Sequence, residues 1–372
     1  MNTNSIFKFP IDIPLIATTA ILTLVGLITI YDASVVSAFR DFGDKLYYFK
    51  NQLIWASLGF MALGFFTFFD YHKLIKFGPI FLAASVFLLI IVLIPQIGTK
   101  VYGARRWINI AGFTIQPSEV AKIALILYQT SIIARFKKYK FKLIDSLIVI
   151  FLPAAFVSTL VLVQPDLGTA LIFVGITGAM YFVGGGPITH FLLAIPPIIL
   201  ATIVSILTHP YRIERLKSLF DPTHDPQGSS YQIHQILIAL SHGGLLGVGI
   251  GASFSKFAFI PEVQSDSIFA VFTEELGFVG ALFLIGLFLF LISRAINIAR
   301  NAPDYQGKIL AMGIVAVISI QSLFNLASIV ALVPLTGIPL PFISYGGSSL
   351  FVTMASIGIL LNIKKQRFER PR

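Results

Sequence analysis

The sequence predicts an all-α polytopic membrane protein: ten transmembrane helices, with one large extracellular loop between spans seven and eight. Three observations predict it. Of 372 residues 56% are hydrophobic and only 12% charged, whereas a soluble domain is about a quarter charged. Mean hydropathy is +0.87. Apolar runs of about 20 residues, the length a helix needs to cross the hydrocarbon core, recur along the whole chain.

The runs place spans at 12–31, 51–69, 74–96, 115–134, 143–163, 166–185, 187–208, 266–293, 308–335 and 342–363. The first is too long for a signal-peptide core and lacks a small-x-small cleavage site, so it reads as a retained helix. Residues 1–372 read as a single transmembrane domain, with 209–265 as the large extracellular loop within it. There is no cysteine, which excludes disulfides and thiolate chemistry. The net charge of +10 follows topology. With both termini cytoplasmic, the inner side holds Lys8, Lys73, Lys76, the run "RFKKYKFK" (135–142), Arg294, Arg300, Lys308 and the tail from Lys364, which outnumber the outer bases. No basic patch lies within a nucleic-acid module, so nucleic acid is not expected as a partner.

The connection 209–265 is long for a compact protein, and such loops carry function or are disordered. "YRIERLKSLF" (211–220) is amphipathic and fits the interface. A turn-rich "DPTHDPQGSSYQ" follows. The glycine-rich "ILIALSHGGLLGVGIGASFS" reads as half-buried or re-entrant, which is tolerated only against protein or a water-filled cavity. Its glycines have no preceding strand and do not form a nucleotide loop. The six histidines show no metal-ligand spacing.

Ionisable groups inside spans are costly and must be paired or wet. Glu119 and Lys122 share a helical face in "FTIQPSEVAKIALILY". They suit a structural ion pair or a substrate contact equally. In "QPDLGTALIF" Asp166 opens span six, where an acid complements the helix dipole. Arg105 and Arg106 in "YGARRWINIAGF" suit an interfacial anchor beside Trp107 or a bidentate phosphate clamp; two arginines on the side that topology disfavours tilt the reading towards the clamp. "PLPFISYGGSSLF" brings Ser344 and Ser348 into span ten, with Pro341 near its start. "FAFIPEVQSDSIFAVFTEELGFVG" (257–280) holds Glu262, Asp266, Glu274 and Glu275 and no base. Asp266 sits at the mouth of span eight, about 80° around the helix from Glu274, and is the acid placed for chemistry in water; Glu274 reads as a buried partner and Glu275 as structural. By this topology nearly all these groups gather at one outward end.

Taken with "DPQGSSYQIHQ" and "GIPLPFISYGGSSL", these motifs, in this order and from the first span to the last, resemble the SEDS family, the FtsW/RodA/SpoVE group. The resemblance implies ten helices and a peptidoglycan glycosyltransferase that polymerises lipid II on the outer face of the bacterial cytoplasmic membrane. It also implies a class B penicillin-binding protein, a transpeptidase, as partner among divisome or elongasome proteins. The family's essential acid falls on Asp266; its neighbours Gln264, Ser265 and Ser267 depart from the family's His, Thr and Phe. The implied chemistry has Asp266 take a proton from the acceptor hydroxyl while Arg105, Arg106 and Lys122 stabilise the leaving pyrophosphate, with a divalent cation as an optional helper. The loop stretches are closer to FtsW than to RodA. A lipid-linked-oligosaccharide flippase and a non-enzymatic division scaffold are the alternatives. Charges confined to the outer end favour surface chemistry over the flippase, and a scaffold has no need of Asp266.

Overall fold

The structure is a computed structural model that describes residues 11–101, 103–110, 112–136, 142–221, 225, 230–254, 256, 261 and 263–369. It is a helical bundle with one small sheet. The helices run α1 (Ile13–Phe42), α2 (Tyr47–Phe68), α3 (Tyr71–Lys76) and α4 (Gly78–Ile91) before the sheet, and α5 (Pro117–Phe136) follows it. Next, α6 (Leu143–Ser146) continues through a π turn into α7 (Leu152–Val163). Then come α8 (Leu167–Val183), α9 (Ile188–Leu207), α10 (Pro210–Phe220), α11 (Tyr231–Gly243), α12 (Ile268–Arg300), α13 (Tyr305–Ile329) and α14 (Gly347–Glu369). Among the described residues, seven helical stretches are long and apolar enough to cross a membrane, and α4 and α8 are shorter apolar helices. α5 is 20 residues long, but its Glu119, Lys122 and Gln129 dilute its apolar run.

Several sequence expectations need correction. The all-α reading misses a three-stranded antiparallel sheet of β1 (Gly98–Val101), β2 (Ala104–Ile110) and β3 (Phe113–Ile115). Gly103 and Gly112 turn between its strands at φ 80 and 86, a region glycine enters without steric cost. Span one continues to Phe42, and span three is divided into α3 and α4 at Phe77. Spans nine and ten do not reach 335 or start at 342: α13 ends at Ile329 and α14 begins at Gly347. Pro334, Pro339 and Pro341 each lack a backbone donor and keep 330–346 out of a helix.

Aspartates set the helix starts. Asp12, Asp70, Asp166 and Asp304 are the N-caps of α1, α3, α8 and α13, and accept the N–H of Leu15, His72, Thr169 and Gly307. α2 packs closely on α14 because the contacts are small: a Cβ on Gly358 would lie 2.5 Å from the Leu63 carbonyl oxygen.

α12 is broken at Gly277 (φ 67, ψ −168). A break frees backbone groups that apolar surroundings cannot solvate. Residues 244–249 supply the partners. Val248 and Gly249 donate N–H to the carbonyls of Glu274 and Glu275 at 3.0 and 3.1 Å, and Phe278 and Val279 donate to those of Gly244 and Leu245 at 3.0 and 3.1 Å. The expected re-entrant piece is therefore α11 plus a strap that mends a broken helix. The amphipathic 211–220 stretch is α10.

Candidate active site

The irregular connection 330–346 is the centre on which most candidate residues converge. Asn325 of α13 donates from Nδ2 to the carbonyl of Ile338 (2.8 Å) and to that of Asp266 (2.9 Å). Tyr345 donates its N–H to the carbonyl of Gln264 at 2.8 Å. Gln232 of α11 reaches Ser267 Oγ at 3.2 Å. Asp266 is thus pinned through its backbone and both flanks while its side chain stays partly exposed. A Cβ on Gly337 would lie 3.8 Å from its Oδ2. Asp266 lies in the turn before α12, which starts at Ile268, so the helical angle expected between it and Glu274 does not apply.

The two arginines separate by role. Arg106, on β2, donates from Nε to the Gln164 carbonyl at 2.9 Å and from Nη2 to that of Pro165, with Asp166 Oδ2 3.8 Å away. It holds the hairpin to the α7–α8 turn. Arg105 has a buried Nε with no hydrogen-bond partner among the described residues. Asp166 meanwhile caps α8, accepting from the N–H of Thr169 at 3.0 Å and its Oγ1 at 2.9 Å. Arg212, on α10, joins this corner: it donates to the carbonyl of Ser205 at 2.7 Å and lies near Arg106 and Asp166. Burial pushes its guanidinium below the ordinary value, with Arg106 adding repulsion and Asp166 opposing both. The corner adjoins Asp266, because Thr336 and Ile338, on either side of Gly337, pack on Gly168 at the start of α8.

Glu119 and Lys122 are a buried pair at 2.9 Å, their side chains 3% exposed each. Lys122 also donates to Gln321 Oε1 at 2.8 Å, and Gln321 Nε2 donates to the Pro339 carbonyl at 3.0 Å. The pair, Gln321 and Pro341 line one small cavity with Thr353 and Ser356. Ser348 Oγ, in the first turn of α14, accepts the N–H of Gln116 at 3.2 Å and ties the sheet to α14. Ser344 lies in the connection, not in a span; its Oγ accepts the N–H of Leu340 at 2.8 Å.

Glu274 is not brought to Asp266. Its carboxylate accepts from Ser253 Oγ at 2.5 Å and the Phe254 N–H at 3.3 Å, beside His242 at 3.7 Å. Glu262 lies outside the described residues. Nor are charges confined to the Asp266 end. Asp12 pairs with Arg294 (2.7 Å) and Lys364 (2.9 Å), and His72 bridges Asp70 (2.7 Å) and Asp304 (2.8 Å) at the opposite end of the bundle. Between the ends, a described buried contact is neutral: Gln129 Nε2 donates to Thr177 Oγ1 at 2.8 Å.

The family model described as "Cell cycle protein" (FTSW_RODA_SPOVE) matches residues 13–369. This chain belongs to the FtsW/RodA/SpoVE family. It is 41% identical to stage V sporulation protein E of Bacillus subtilis over 358 residues, 95% of this chain and 97% of the relative. It is 38% identical to the probable peptidoglycan glycosyltransferase FtsW of Trichlorobacter lovleyi, covering 95% and 92% of the two. The fold matches RodA of Thermus thermophilus at TM-score 0.72 and 25% identity, over 98% of this chain and 99% of that one. It matches a chain of a peptidoglycan synthase complex, described for its coordination of polymerization and crosslinking, at TM-score 0.77 and 27% identity, over 97% and 99%.

The family motifs do not single out Asn325, Gln321, Gln52 or Arg212. Gln52 holds the connection from the other side, accepting the Gly346 N–H at 3.2 Å and donating to the Ser344 carbonyl at 3.3 Å. The signal for the three amides is a polar side chain within an apolar helix, which must find a partner. Arg212 gives no such signal in an amphipathic segment.

Proposed function

We propose that this protein is a peptidoglycan glycosyltransferase that polymerises lipid II into glycan strands, with Asp266 as the general base. The observation that carries the assignment is a partly exposed carboxylate whose backbone is fixed by Asn325 and whose neighbours Gln264 and Ser267 are fixed by Tyr345 and Gln232. A base must be held where the hydroxyl arrives while staying reachable. Asp266 takes the proton of the acceptor sugar's 4-hydroxyl; that oxygen bonds to the donor's anomeric carbon, and undecaprenyl pyrophosphate departs with the bonding pair. Arg105 is the guanidinium that meets the pyrophosphate, since Arg106 is engaged by two carbonyls and Asp166. Lys122 acts at longer range by keeping Glu119 and Gln321 in place under the connection. The described residues supply no cluster of three His, Asp or Glu side chains placed to ligate a divalent cation, so no step is assigned to one.

The chain crosses the bacterial cytoplasmic membrane ten times with both termini inside. α4, α5 and α8 complete the seven longer stretches, and the Asp266 end faces outward. The placement of Arg294, Arg300, Lys308 and Lys364 at the other end supports that orientation. A class B penicillin-binding protein is the partner that would crosslink the strands, and the loop sequences favour cell division over elongation. Purified protein given labelled lipid II should yield glycan polymer, and Asp266→Asn should lower the rate by about 10²-fold or more while the protein elutes as a folded species. Polymer at the normal rate from a folded Asp266→Asn protein would remove Asp266 as the base. Lipid II crossing sealed vesicles without polymerising would favour the flippase.

A further inference from the structure

α1 carries one acid on the stretch facing the strap, Asp32, and a carboxylate in an apolar helix needs a partner. The partner is Lys256. Its ammonium meets Asp32 Oδ1 at 2.9 Å and Oδ2 at 3.2 Å, the Gly251 carbonyl at 2.6 Å and Glu275 Oε1 at 3.4 Å. The Lys256 and Glu275 side chains are each 8% exposed. Glu275 Oε1 also accepts the N–H of Gly251 (3.0 Å) and of Ser253 (3.4 Å). One lysine therefore ties α1, the break in α12 and the strap into a single knot. Only residues 257–265 separate Lys256 from Asp266. Asp266 itself is held by Asn325, Ser267 after it by Gln232 and Gln264 before it by Tyr345; further towards the N-terminus, this knot is the nearest described charged anchor.

We propose that Lys256, with Asp32 and Glu275, is a positioning clamp that fixes the N-terminal side of the Asp266 segment against α1 and α12. The proposal rests on the reading of Asp266 as base for its link to catalysis, but the clamp itself is a statement about chain position. The ammonium's donors go to Asp32, the Gly251 carbonyl and Glu275, and Glu275 also accepts two strap amides, so the knot's polar groups face one another and position the chain. Removing the ammonium leaves two carboxylates facing each other in a poorly solvated place and releases the strap end.

The test uses the absence of cysteine. Ser265→Cys places a unique thiol beside Asp266, and Asp41→Cys, at the exposed end of α1, is the control. Lys256→Met should raise the maleimide labelling rate of the thiol at 265 about tenfold, leave the rate at 41 unchanged, and lower lipid II turnover in parallel. Lys256→Arg, which keeps the charge, should stay within about twofold of the parent on both readouts. An unchanged labelling rate at 265 in a folded Lys256→Met protein overturns the clamp, whatever its activity. If both thiols label faster, the single variant has opened globally. The double variant Asp32→Asn with Lys256→Met, which leaves no unpaired acid on α1, is then decisive: fast labelling at 265 alone supports the clamp, and the parental rate overturns it. Polymerisation that survives Asp266→Asn would sink the base assignment and leave the labelling result standing.

Discussion

Lys122→Met is the sharpest perturbation of the buried network. The ammonium is 2.9 Å from Glu119 and 2.8 Å from Gln321 Oε1, and both charged side chains are 3% exposed. Methionine keeps the length and removes the charge, so Glu119 is left as an uncompensated buried acid and Gln321 loses a donor. Breaking a buried pair from one side costs about 3–5 kcal/mol, and stranding a neutral acceptor adds about 1–3 kcal/mol. Relaxation and water entry make the lower end, about 3 kcal/mol, the expected loss. Glu119→Gln with Lys122→Met removes both charges and should recover most of it, since an ion pair replaced as a unit is close to neutral. The assay is unfolding in mixed micelles, with lipid II turnover measured on the same preparations. A single variant of parental stability whose turnover alone falls would refute the reasoning and move the pair into direct contact with substrate.

The other expectations are independent of that one. Arg105→Lys should lose most polymerisation at matched membrane abundance, because lysine lacks the fork, while Arg106→Lys should mainly weaken the hold of the hairpin on the α7–α8 turn and appear as faster proteolysis near the sheet. Equal behaviour of the two would return "RRW" to an interfacial belt. Burial works to raise Asp70, but Gln366 and the His72 N–H and ring outweigh it and hold the carboxyl at about 2, below its ordinary 3.8. A depressed carboxyl gives stability that is present above its unfolded value and lost as pH falls through the folded one. Stability should therefore decline between about pH 4 and 2, and Asp70→Asn should flatten that slope. Gly277→Ala should cost more than about 1 kcal/mol, because an L residue at φ 67 is strained and its Cβ would lie 2.3 Å from the Gly247 nitrogen. A silent alanine there, by thermal unfolding, would mean that the break relaxes.

The bundle is legible because apolar length is a strong signal; the apolar runs fall on helices but miss their edges. The edges failed where backbone chemistry competes with apolarity. "VPLTGIPLPFISYGG" is apolar enough to extend two spans on paper, yet its prolines forbid the helix that hydropathy suggests. The sheet is missed by the all-α reading although its signal is present: "GTKVYGARRWINIAGFTI" has two glycine turns between short alternating runs. Asp266, Arg105 and the Glu119–Lys122 pair were visible as charges out of place. Arg106 could not be told from Arg105 because only the fold says which one meets the Gln164 and Pro165 carbonyls. Glu274 reads from sequence as a buried partner, but only the fold shows that its partners are Ser253, the Phe254 N–H and His242.

α9 differs from every other long helix: none of its 20 residues is buried within the protein. Among the described residues its polar tethers lie near its ends, where Tyr181 Oη and His190 Nδ1 lie 2.6 Å apart and Arg212 donates to the Ser205 carbonyl at 2.7 Å, and Phe191 packs on Gly178 of α8. Its apolar side chains otherwise face away from the bundle, and its length of 20 residues matches what crossing a hydrocarbon core requires. Pro196 and Pro197 lie inside it without ending it. The stretch between the tethers should accept almost any apolar sequence of equal length, whereas a change at Tyr181, His190 or Arg212 would alter the tilt of the whole helix. Its orientation is written in two polar contacts and its composition in the membrane's thickness.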